Sequence, residues 1–259
     1  MSNREVMEYD VVVVGAGPSG LSAAIKLKQL SKEKNKDLSV CVIEKGSEVG
    51  AHIVSGAVIE TKALDELIPD WSEKNCPLKT KAKNDKFLYL TEAKSYQLPT
   101  PPQMHNKGNY IVSLSDFSKW LAEQAEALEV EIYPGFSASE VLFNDKNKVI
   151  GVATCDMGRL KDGSEGPNFE QGIELHAKQT IFSEGCRGHL GKILMEKFNL
   201  NAENSPQTYG IGIKELWEIQ PDKSNPGSIM HTTGWPLNTE TYGGSFLYLS
   251  LIHISEPTR

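Results

Sequence analysis

Apolar and polar positions along the chain predict a βαβ unit near its start. Val11 to Val14 form a run of β-branched residues, which is typical of a strand buried on both faces. Helix-forming residues follow at 21–30, and a polar loop at 31–37 separates them from a second apolar run at 38–43. Two such strands joined by one helix are predicted to lie parallel in an α/β sheet.

The pattern further along the chain is more mixed. Residues 113–128 predict an amphipathic helix, and 190–198 predict another. Short strands are predicted at 130–133, 139–143, 149–154, 174–176 and 179–182, a Gly/Asp-rich loop at 156–172, and glycine-aromatic strands at 207–217 and 241–248. We expect an α/β doubly wound core with an inserted part that is mixed α+β and more antiparallel.

Residues 49–68 are moderately apolar but carry Glu60, Lys62, Asp65 and Glu66. These charges exclude a helix that crosses a bilayer, and no run of 18 apolar residues occurs elsewhere. Two interpretations remain: an ordinary helix packed on the core, or an amphipathic stretch that lies in a membrane surface. Composition favours the packed helix.

Three glycines after the first apolar run carry the clearest chemistry. Gly15, Gly17 and Gly20 have the spacing G-x-G-x-x-G between a predicted strand and a predicted helix. In such a turn the first glycine allows a tight bend, the second allows close approach of a pyrophosphate, and the third allows close packing of helix on strand. The helix N-terminus then offers N–H groups and a positive dipole end to the phosphates.

A carboxylate follows at the spacing that this motif requires. Glu44 ends the second apolar run, 44 − 20 = 24 residues after the last motif glycine. An acid at the tip of that strand can accept hydrogen bonds from the ribose hydroxyls of the adenosine. The motif and Glu44 together predict a dinucleotide site without choosing between FAD and NAD.

A second glycine turn favours FAD. Residues 180–188 read as a strand that ends in a turn with Gly185 and Gly188, followed by a helix. Both glycines allow backbone to approach a cofactor closely. Flavin-dependent oxidoreductases commonly return a late strand to the first domain in this way, whereas nicotinamide enzymes rarely need it.

Composition narrows the class of protein further. The chain has 259 residues and a formal net charge of −7, which argues against nucleic acid as a partner. Its four cysteines, Cys41, Cys76, Cys155 and Cys186, show no C-x-x-C spacing, so neither metal ligation nor a structural disulfide is predicted. The histidines at 52, 105, 176 and 189 are expected to be surface or hydrogen-bonded structural residues.

Six stretches of the sequence resemble electron transfer flavoprotein–ubiquinone oxidoreductases. The resemblance runs from about residue 8 to about residue 248 and is most specific in its later motifs. The stretches are 14–24, 44–57, 120–128, 174–178, 209–217 and 241–248. The resemblance implies a Rossmann-like FAD-binding domain formed by 8–70 and 105–200, and the start of a quinone-binding part at 201–248.

The resemblance also implies cofactors, partners and site residues. It implies FAD as the cofactor, and electron transfer flavoprotein and ubiquinone as partners. It also implies a monotopic position on an energy-transducing membrane, mitochondrial or bacterial, with 49–70 as the membrane-surface segment. It implies that the paired glycines Gly243 and Gly244 contact ubiquinone. The residues expected to hold FAD are Gly15, Ala16, Gly17, Pro18, Ser19, Gly20, Glu44 and Lys45, with Gly185 near the flavin.

Two departures from the family shape the expectations. The family is about twice this length and carries a [4Fe-4S] cluster, for which none of the four cysteines matches a ligand. We expect the chain to be an incomplete fragment, with residues 249–259 as a non-native tail.

Two alternative functions stay open: an NAD(P)H-dependent reductase or hydroxylase of the geranylgeranyl reductase type, and a non-catalytic FAD-binding fragment. No catalytic acid, base or nucleophile is predicted.

Overall fold

The computed structural model describes residues 4–54 and 56–250. The predicted tail 249–259 therefore lies almost entirely outside the described residues. The helices are α1 (Pro18–Glu33), α2 (Lys62–Leu67), α3 (Leu114–Glu126) and α4 (His189–Lys197). The strands are β1 (Val6–Val14), β2 (Val40–Glu44), β3 (Ala57–Ile59), β4 (Thr80–Lys81), β5 (Asn84–Leu90), β6 (Ser95–Leu98), β7 (Tyr110–Val112), β8 (Glu131–Pro134), β9 (Ala138–Phe143), β10 (Val149–Thr154), β11 (Met157–Arg159), β12 (Glu165–Glu170), β13 (Glu174–Phe182), β14 (Ser228–Gly234) and β15 (Ser245–Tyr248).

The chain divides into two compact units, each built from two separate ranges. Unit 1 comprises Met1–Ile53 and Ser118–Ile211, and unit 2 comprises Val54–Phe117 and Gly212–Arg259. Each of the predicted FAD-binding ranges, 8–70 and 105–200, includes residues of both units. Their assignment to one domain stays a prediction.

A six-stranded sheet with the order β8-β2-β1-β13-β10-β9 forms the centre of unit 1. The first four strands in this order are parallel, and β10 and β9 extend the sheet antiparallel. The sequence predicted two strands at 174–176 and 179–182. The structure has one, because β13 pairs with β1 continuously from Val6↔Glu174 to Val14↔Phe182.

The apolar runs of the sequence form the core of unit 1. Val12, Val13, Cys41 and Val42 are fully buried in the central strands, as expected of parallel strands covered on both faces. Helix α1 turns Leu21, Ala24 and Ile25 inward, which is the period of an amphipathic helix. In α3, which the sequence predicts as an amphipathic helix, Trp120, Leu121 and Ala125 of unit 1 are buried.

The predicted loop at 156–172 contains a two-stranded hairpin, β11–β12. Its glycines suggested a loop because glycine weakens a strand. Here they permit close contact between strands: a Cβ on Gly158 would lie 2.1 Å from the carbonyl oxygen of Asn168. The loop prediction was therefore wrong over the two strands.

Unit 2 contains two small sheets. One has four strands in the order β15-β14-β5-β6, and the other has the order β3-β7-β4. Ile229 of β14 is buried with Ala82 and Ile111 in one apolar cluster. Strand β5 was not predicted, because charged and apolar residues mix over 84–90 without a clear period.

Two segments differ from their sequence predictions. A single helix over 49–68 is wrong: the segment forms a turn, β3 and the six-residue α2, and Leu64 and Ile68 are buried inside unit 2. A strand over 207–217 is also wrong, since no strand is assigned to this segment and no described strand pairs with it. Within residues 4–54 and 56–250, no helix has both the length and the apolar character needed to cross a bilayer.

Candidate functional site

The carboxyl ends of three parallel strands meet at the first glycine turn. Gly15 follows β1, which lies between β2 and β13. The N–H of Gly15 donates to the carbonyl of Ile43 at 2.8 Å, and the N–H of Ser183 donates to the carbonyl of Val14 at 2.8 Å. The turn is thus fixed on both sides, at the sheet edge where ligands bind in open α/β folds.

Two of the three motif glycines are required by the packing of the chain itself. Gly15 has φ +104°, and a Cβ there would lie 2.5 Å from the carbonyl oxygen of Ser183. A Cβ on Gly20 would lie 2.1 Å from the carbonyl oxygen of Gly15. Both contacts are with backbone that cannot move aside, so neither position accepts a larger residue.

Gly17, in contrast, faces open space. A Cβ at this position would meet no atom within 4 Å, and φ is −77°, so neither strain nor packing demands glycine. Gly17 is the N-cap residue of α1, makes no side-chain cap, and is followed by Pro18 with no acidic residue in the first turn. The positive end of α1 is therefore left unneutralised by its own first turn, which suits an approaching anion.

Glu44 lies beside this turn at the end of β2. Its Oε2 accepts the N–H of Ala16 at 3.0 Å, and its Oε1 accepts the N–H of Gly46 at 2.7 Å. The carboxylate is half-buried and held by these two bonds, yet each oxygen keeps a further lone pair. Its position and remaining acceptor capacity fit a partner with hydroxyl groups. Lys45 next to it is exposed.

The second glycine turn is organised differently. Gly185 has φ +80° and a Cβ there would meet no atom within 4 Å, so its backbone is accessible, as the sequence predicts. The N-terminus of α4 behind it is capped by Glu184: Oε1 accepts the N–H of Leu190 at 3.2 Å, and Oε2 accepts the N–H of Gly191 at 2.8 Å. The Nδ1 atom of His189 lies 3.3 Å from Oε1.

Gly188 and Glu184 correct the sequence interpretation of this turn. Gly188 was expected to admit a cofactor, but a Cβ there would lie 2.4 Å from the Cβ of Glu184. The glycine makes room for the capping side chain. Glu184 was missed because it lies 188 − 184 = 4 residues before the N-cap residue Gly188, outside the position where a capping side chain is expected.

The glycine pair Gly243–Gly244 precedes β15 in unit 2. A Cβ on Gly244 would lie 2.1 Å from the carbonyl oxygen of Thr232, so strand packing alone explains this glycine. A Cβ on Gly243 would approach only Cδ1 of Leu237, at 2.8 Å. Both glycines are exposed, and the Thr233 hydroxyl donates to the Gly243 carbonyl at 3.4 Å.

The other candidate residues have structural surroundings. His105 and His176 form hydrogen bonds to the carbonyl of Thr100 and to Glu174, as expected. All four cysteines are free, and burial raises the pKa of Cys41 to about 12 and of Cys76 to about 11. Among the described residues, no group of three or more His, Cys, Asp or Glu side chains could hold a metal ion.

The fold places the chain in the class of Rossmann-type α/β proteins. It resembles a geranylgeranyl bacteriochlorophyll reductase-like protein from Thermoplasma acidophilum, with a TM-score of 0.53 and 18% identity over 89% of this chain and 51% of that one. It also resembles a myxobacterial FAD-dependent chondrochloren halogenase, with a TM-score of 0.51 and 18% identity over 73% and 39% of the two chains.

Sequence comparison finds two family models and a set of closely similar relatives. The family model for the ubiquinone-binding part of ETF-QO matches residues 209–255, and that of the Thi4 family matches residues 2–66. Electron transfer flavoprotein-ubiquinone oxidoreductases are 61% identical in Dictyostelium discoideum, over 95% of this chain and 40% of the relative, and 54% identical in Bos taurus, over 98% and 41%. The chain is similar to these oxidoreductases along nearly its whole length and spans about two fifths of the length of these relatives.

Proposed function

We propose that this chain holds the FAD of an oxidoreductase that passes electrons from reduced electron transfer flavoprotein to ubiquinone. One observation carries the proposal. The N-terminus of α1 at Gly17 is uncapped, bears no acid in its first turn and has open space where a side chain would stand. A diphosphate fits this place by charge and by shape.

The residues around Gly17 have distinct roles in this proposal. The turn and first helical residues bind the diphosphate, Glu44 and Lys45 lie at the adenosine ribose, and the accessible backbone of Gly185 lies near the flavin ring. The diphosphate set is Gly15, Ala16, Gly17, Pro18, Ser19 and Gly20. The fixed carboxylate of Glu44 supports its role, because its two backbone bonds hold it in one orientation before any ligand arrives.

The chemistry belongs to the cofactor and the positioning to the chain. FAD, when bound, supplies the acceptance and release of electrons. The chain contributes binding, orientation and the field of α1, and the proposal requires no catalytic acid or base. A [4Fe-4S] cluster is expected for the longer members of the family. The described residues do not fit it, since two of the four cysteines are buried and no three ligands cluster.

Ubiquinone is proposed to bind at Gly243 and Gly244. The match of residues 209–255 to a ubiquinone-binding family model supports this assignment. The exposed pair presents peptide groups without side chains, as a flat ring in contact with backbone requires. Since ubiquinone is a lipid-soluble acceptor, we also propose a monotopic position on the inner membrane, of mitochondria or on the cytoplasmic side in bacteria. The role of 49–70 in that contact stays a prediction.

The experiment compares Gly17→Val with Gly210→Val in the 259-residue chain. At both positions a Cβ would meet no atom within 4 Å and φ is not positive, so both variants are expected to fold. We expect Gly17→Val to weaken FAD binding by about 30-fold or more, equivalent to about 2 kcal/mol, and Gly210→Val to leave it unchanged. FAD affinity is measured by quenching of flavin fluorescence on titration.

Retention of normal FAD affinity by Gly17→Val would overturn the site. A second measurement separates the alternative enzyme class. Rapid reduction of the flavin by NAD(P)H, with none by reduced electron transfer flavoprotein, in protein of the relatives' full length would favour a reductase or hydroxylase.

A further inference from the structure

Three lysines in unit 2 form an exposed stripe on one edge of a sheet. Along 78–83, buried residues alternate with lysines: Leu78, Thr80 and Ala82 are at most 5% exposed, whereas Lys79, Lys81 and Lys83 are exposed. Because residues two apart on an extended chain share a face, the three lysine side chains project from the same side.

The backbone beneath the stripe is fixed. Thr80 and Lys81 pair with Ile111 and Tyr110 of β7. The N–H of Ala82 donates to the Asn109 carbonyl at 2.8 Å, and the N–H of Lys83 donates to the Gly227 carbonyl at 2.8 Å. The stripe is therefore a preformed spacing of positive charges rather than a flexible run.

The stripe has no anionic partner within the described residues. None of Lys79, Lys81 and Lys83 forms an ion pair there. The neighbouring carboxylate of Asp85 is already engaged, accepting two N–H groups of Asn106 at 2.8 and 2.9 Å. In a chain of net charge −7, three lysines on one edge with no ion pair among the described residues form a local cluster of positive charge.

Aromatic residues accompany the stripe. The Nζ of Lys81 lies 5.6 Å from the ring centroid of Tyr110, and the Trp71 ring meets that of Tyr110 edge-on at 5.7 Å. Elsewhere in unit 2, Tyr89, Tyr96 and Trp235 are 43 to 53% exposed. Lysine beside tyrosine and tryptophan is the composition of surfaces that lie at the boundary between lipid and water.

We propose that Lys79, Lys81 and Lys83 bind the anionic headgroups of a phospholipid bilayer and orient unit 2 on it. The inference rests on the proposed function, in which the acceptor is lipid-soluble. An acidic protein would match the charge equally well. A bilayer is favoured because the acceptor in the proposed function is lipid-soluble and because Tyr110 and Trp71 lie beside Lys81. The stripe thus supplies the electrostatic part of membrane contact.

The test measures sedimentation of the 259-residue chain with vesicles of phosphatidylcholine alone or with one-third phosphatidylglycerol. The variant replaces Lys79, Lys81 and Lys83 by Gln. The matched control replaces Lys32, Lys34 and Lys36, exposed lysines of unit 1 at the same spacing. At low salt we expect the stripe variant to lose about fivefold in affinity for anionic vesicles per lysine removed, and the control to bind like the parent chain.

Several results would overturn the proposal. These are equal binding to both vesicle types, unchanged binding by the stripe variant, or stripe-dependent capture of poly-L-glutamate without vesicle binding, which would indicate an acidic protein partner. Replacing the three lysines by Arg should preserve vesicle binding. This control shows that the loss in the Gln variant comes from the missing charge and not from misfolding. Gly17→Val should bind vesicles normally, so failure of the FAD site and failure of the stripe are distinguishable.

Discussion

The N-termini of α1 and α4 lie after two glycine turns of the same sheet, yet they differ in how their N–H groups are used. At α1 the cap residue is Gly17, with no side-chain cap and no acid in the first turn. At α4 the carboxylate of Glu184 accepts the N–H groups of Leu190 and Gly191. One helix end is open to an external anion and the other is neutralised by the chain.

This difference separates two uses of glycine that look alike in the sequence. At the first turn, Gly15 and Gly20 allow the chain to pack while Gly17 leaves room for a ligand. At the second turn, Gly188 leaves room for the chain's own carboxylate. A phosphate is therefore expected at the N-terminus of α1 rather than at that of α4. Gly185 in the second turn provides accessible backbone instead.

The largest effect is expected from Gly15→Ala compared with Gly185→Ala. Both glycines have positive φ, but only at Gly15 would the new Cβ collide with backbone, 2.5 Å from the Ser183 carbonyl oxygen. We expect Gly15→Ala to lower the free energy of unfolding by roughly 3 kcal/mol or more, and Gly185→Ala by about 1 kcal/mol. Urea denaturation followed by circular dichroism measures both; equal losses would contradict the comparison.

Removal of the cap at α4 should have an intermediate effect. Glu184→Ala leaves the N–H groups of Leu190 and Gly191 without their acceptor, so we expect about 1–2 kcal/mol of destabilisation. Glu184→Gln should recover part of it, because its amide keeps one oxygen acceptor. The same urea titration decides; an unchanged midpoint for Glu184→Ala would show that the cap contributes nothing.

The cysteines offer a smaller effect that tests the second turn directly. Cys155 and Cys186 are exposed, whereas burial raises the pKa of Cys41 to about 12 and of Cys76 to about 11. At pH 8 we expect only the two exposed thiols to react rapidly with a disulfide reagent. If Gly185 lies near the flavin, FAD should slow the reaction of Cys186 with this reagent several-fold and leave that of Cys155 unchanged; mass spectrometry of both peptides, without reduction, checks this.

The smallest effect concerns the strands that carry both turns. The pKa of Asp10 is lowered to about 2, first by a hydrogen bond from Lys178 and then by one from the Ser39 N–H. The ion pair of Asp10 with Lys178 joins β1 to β13. The folded pKa lies below the usual value near 4, so this stabilisation is present above pH 4 and is lost as the pH falls towards 2. Water screens the pair, so we expect less than about 1 kcal/mol. When the free energy of unfolding is measured from pH 6 down to pH 2, Asp10→Asn should lack the loss of stability that the parent chain shows between pH 4 and pH 2.

Much of unit 1 follows from the sequence because local signals agree there. The valine run, the glycine spacing and Glu44 all indicate the same βαβ turn, and the structure has β1, α1 and β2 at those places. The hairpin β11–β12 escaped because its glycines serve contacts with a strand some ten residues away. Glu184 escaped because its partners become neighbours only once the turn has folded.

Unit 2 was harder to predict, since its strands depend on partners far along the chain. Strand β5 pairs in parallel with β14, more than a hundred residues later. The sequence of 84–90 has no clear alternation of apolar and polar residues that would predict a strand. Residues 207–217 show the opposite error. Their glycine-aromatic pattern suggests a strand, yet Ile211 and Ile213 are almost fully exposed and no described strand pairs with the segment.

The pairing of β1 with β13 has a consequence for how the protein is made. Val14 and Glu174 are 174 − 14 = 160 residues apart, so the ribosome must deliver all of the intervening polypeptide before β1 gains its second neighbour. At translation speeds of about 5–20 residues per second, that wait is roughly 8–32 s. During it, one edge of β1 lacks its strand partner, and the order of synthesis makes the first glycine turn one of the last parts of unit 1 to be completed.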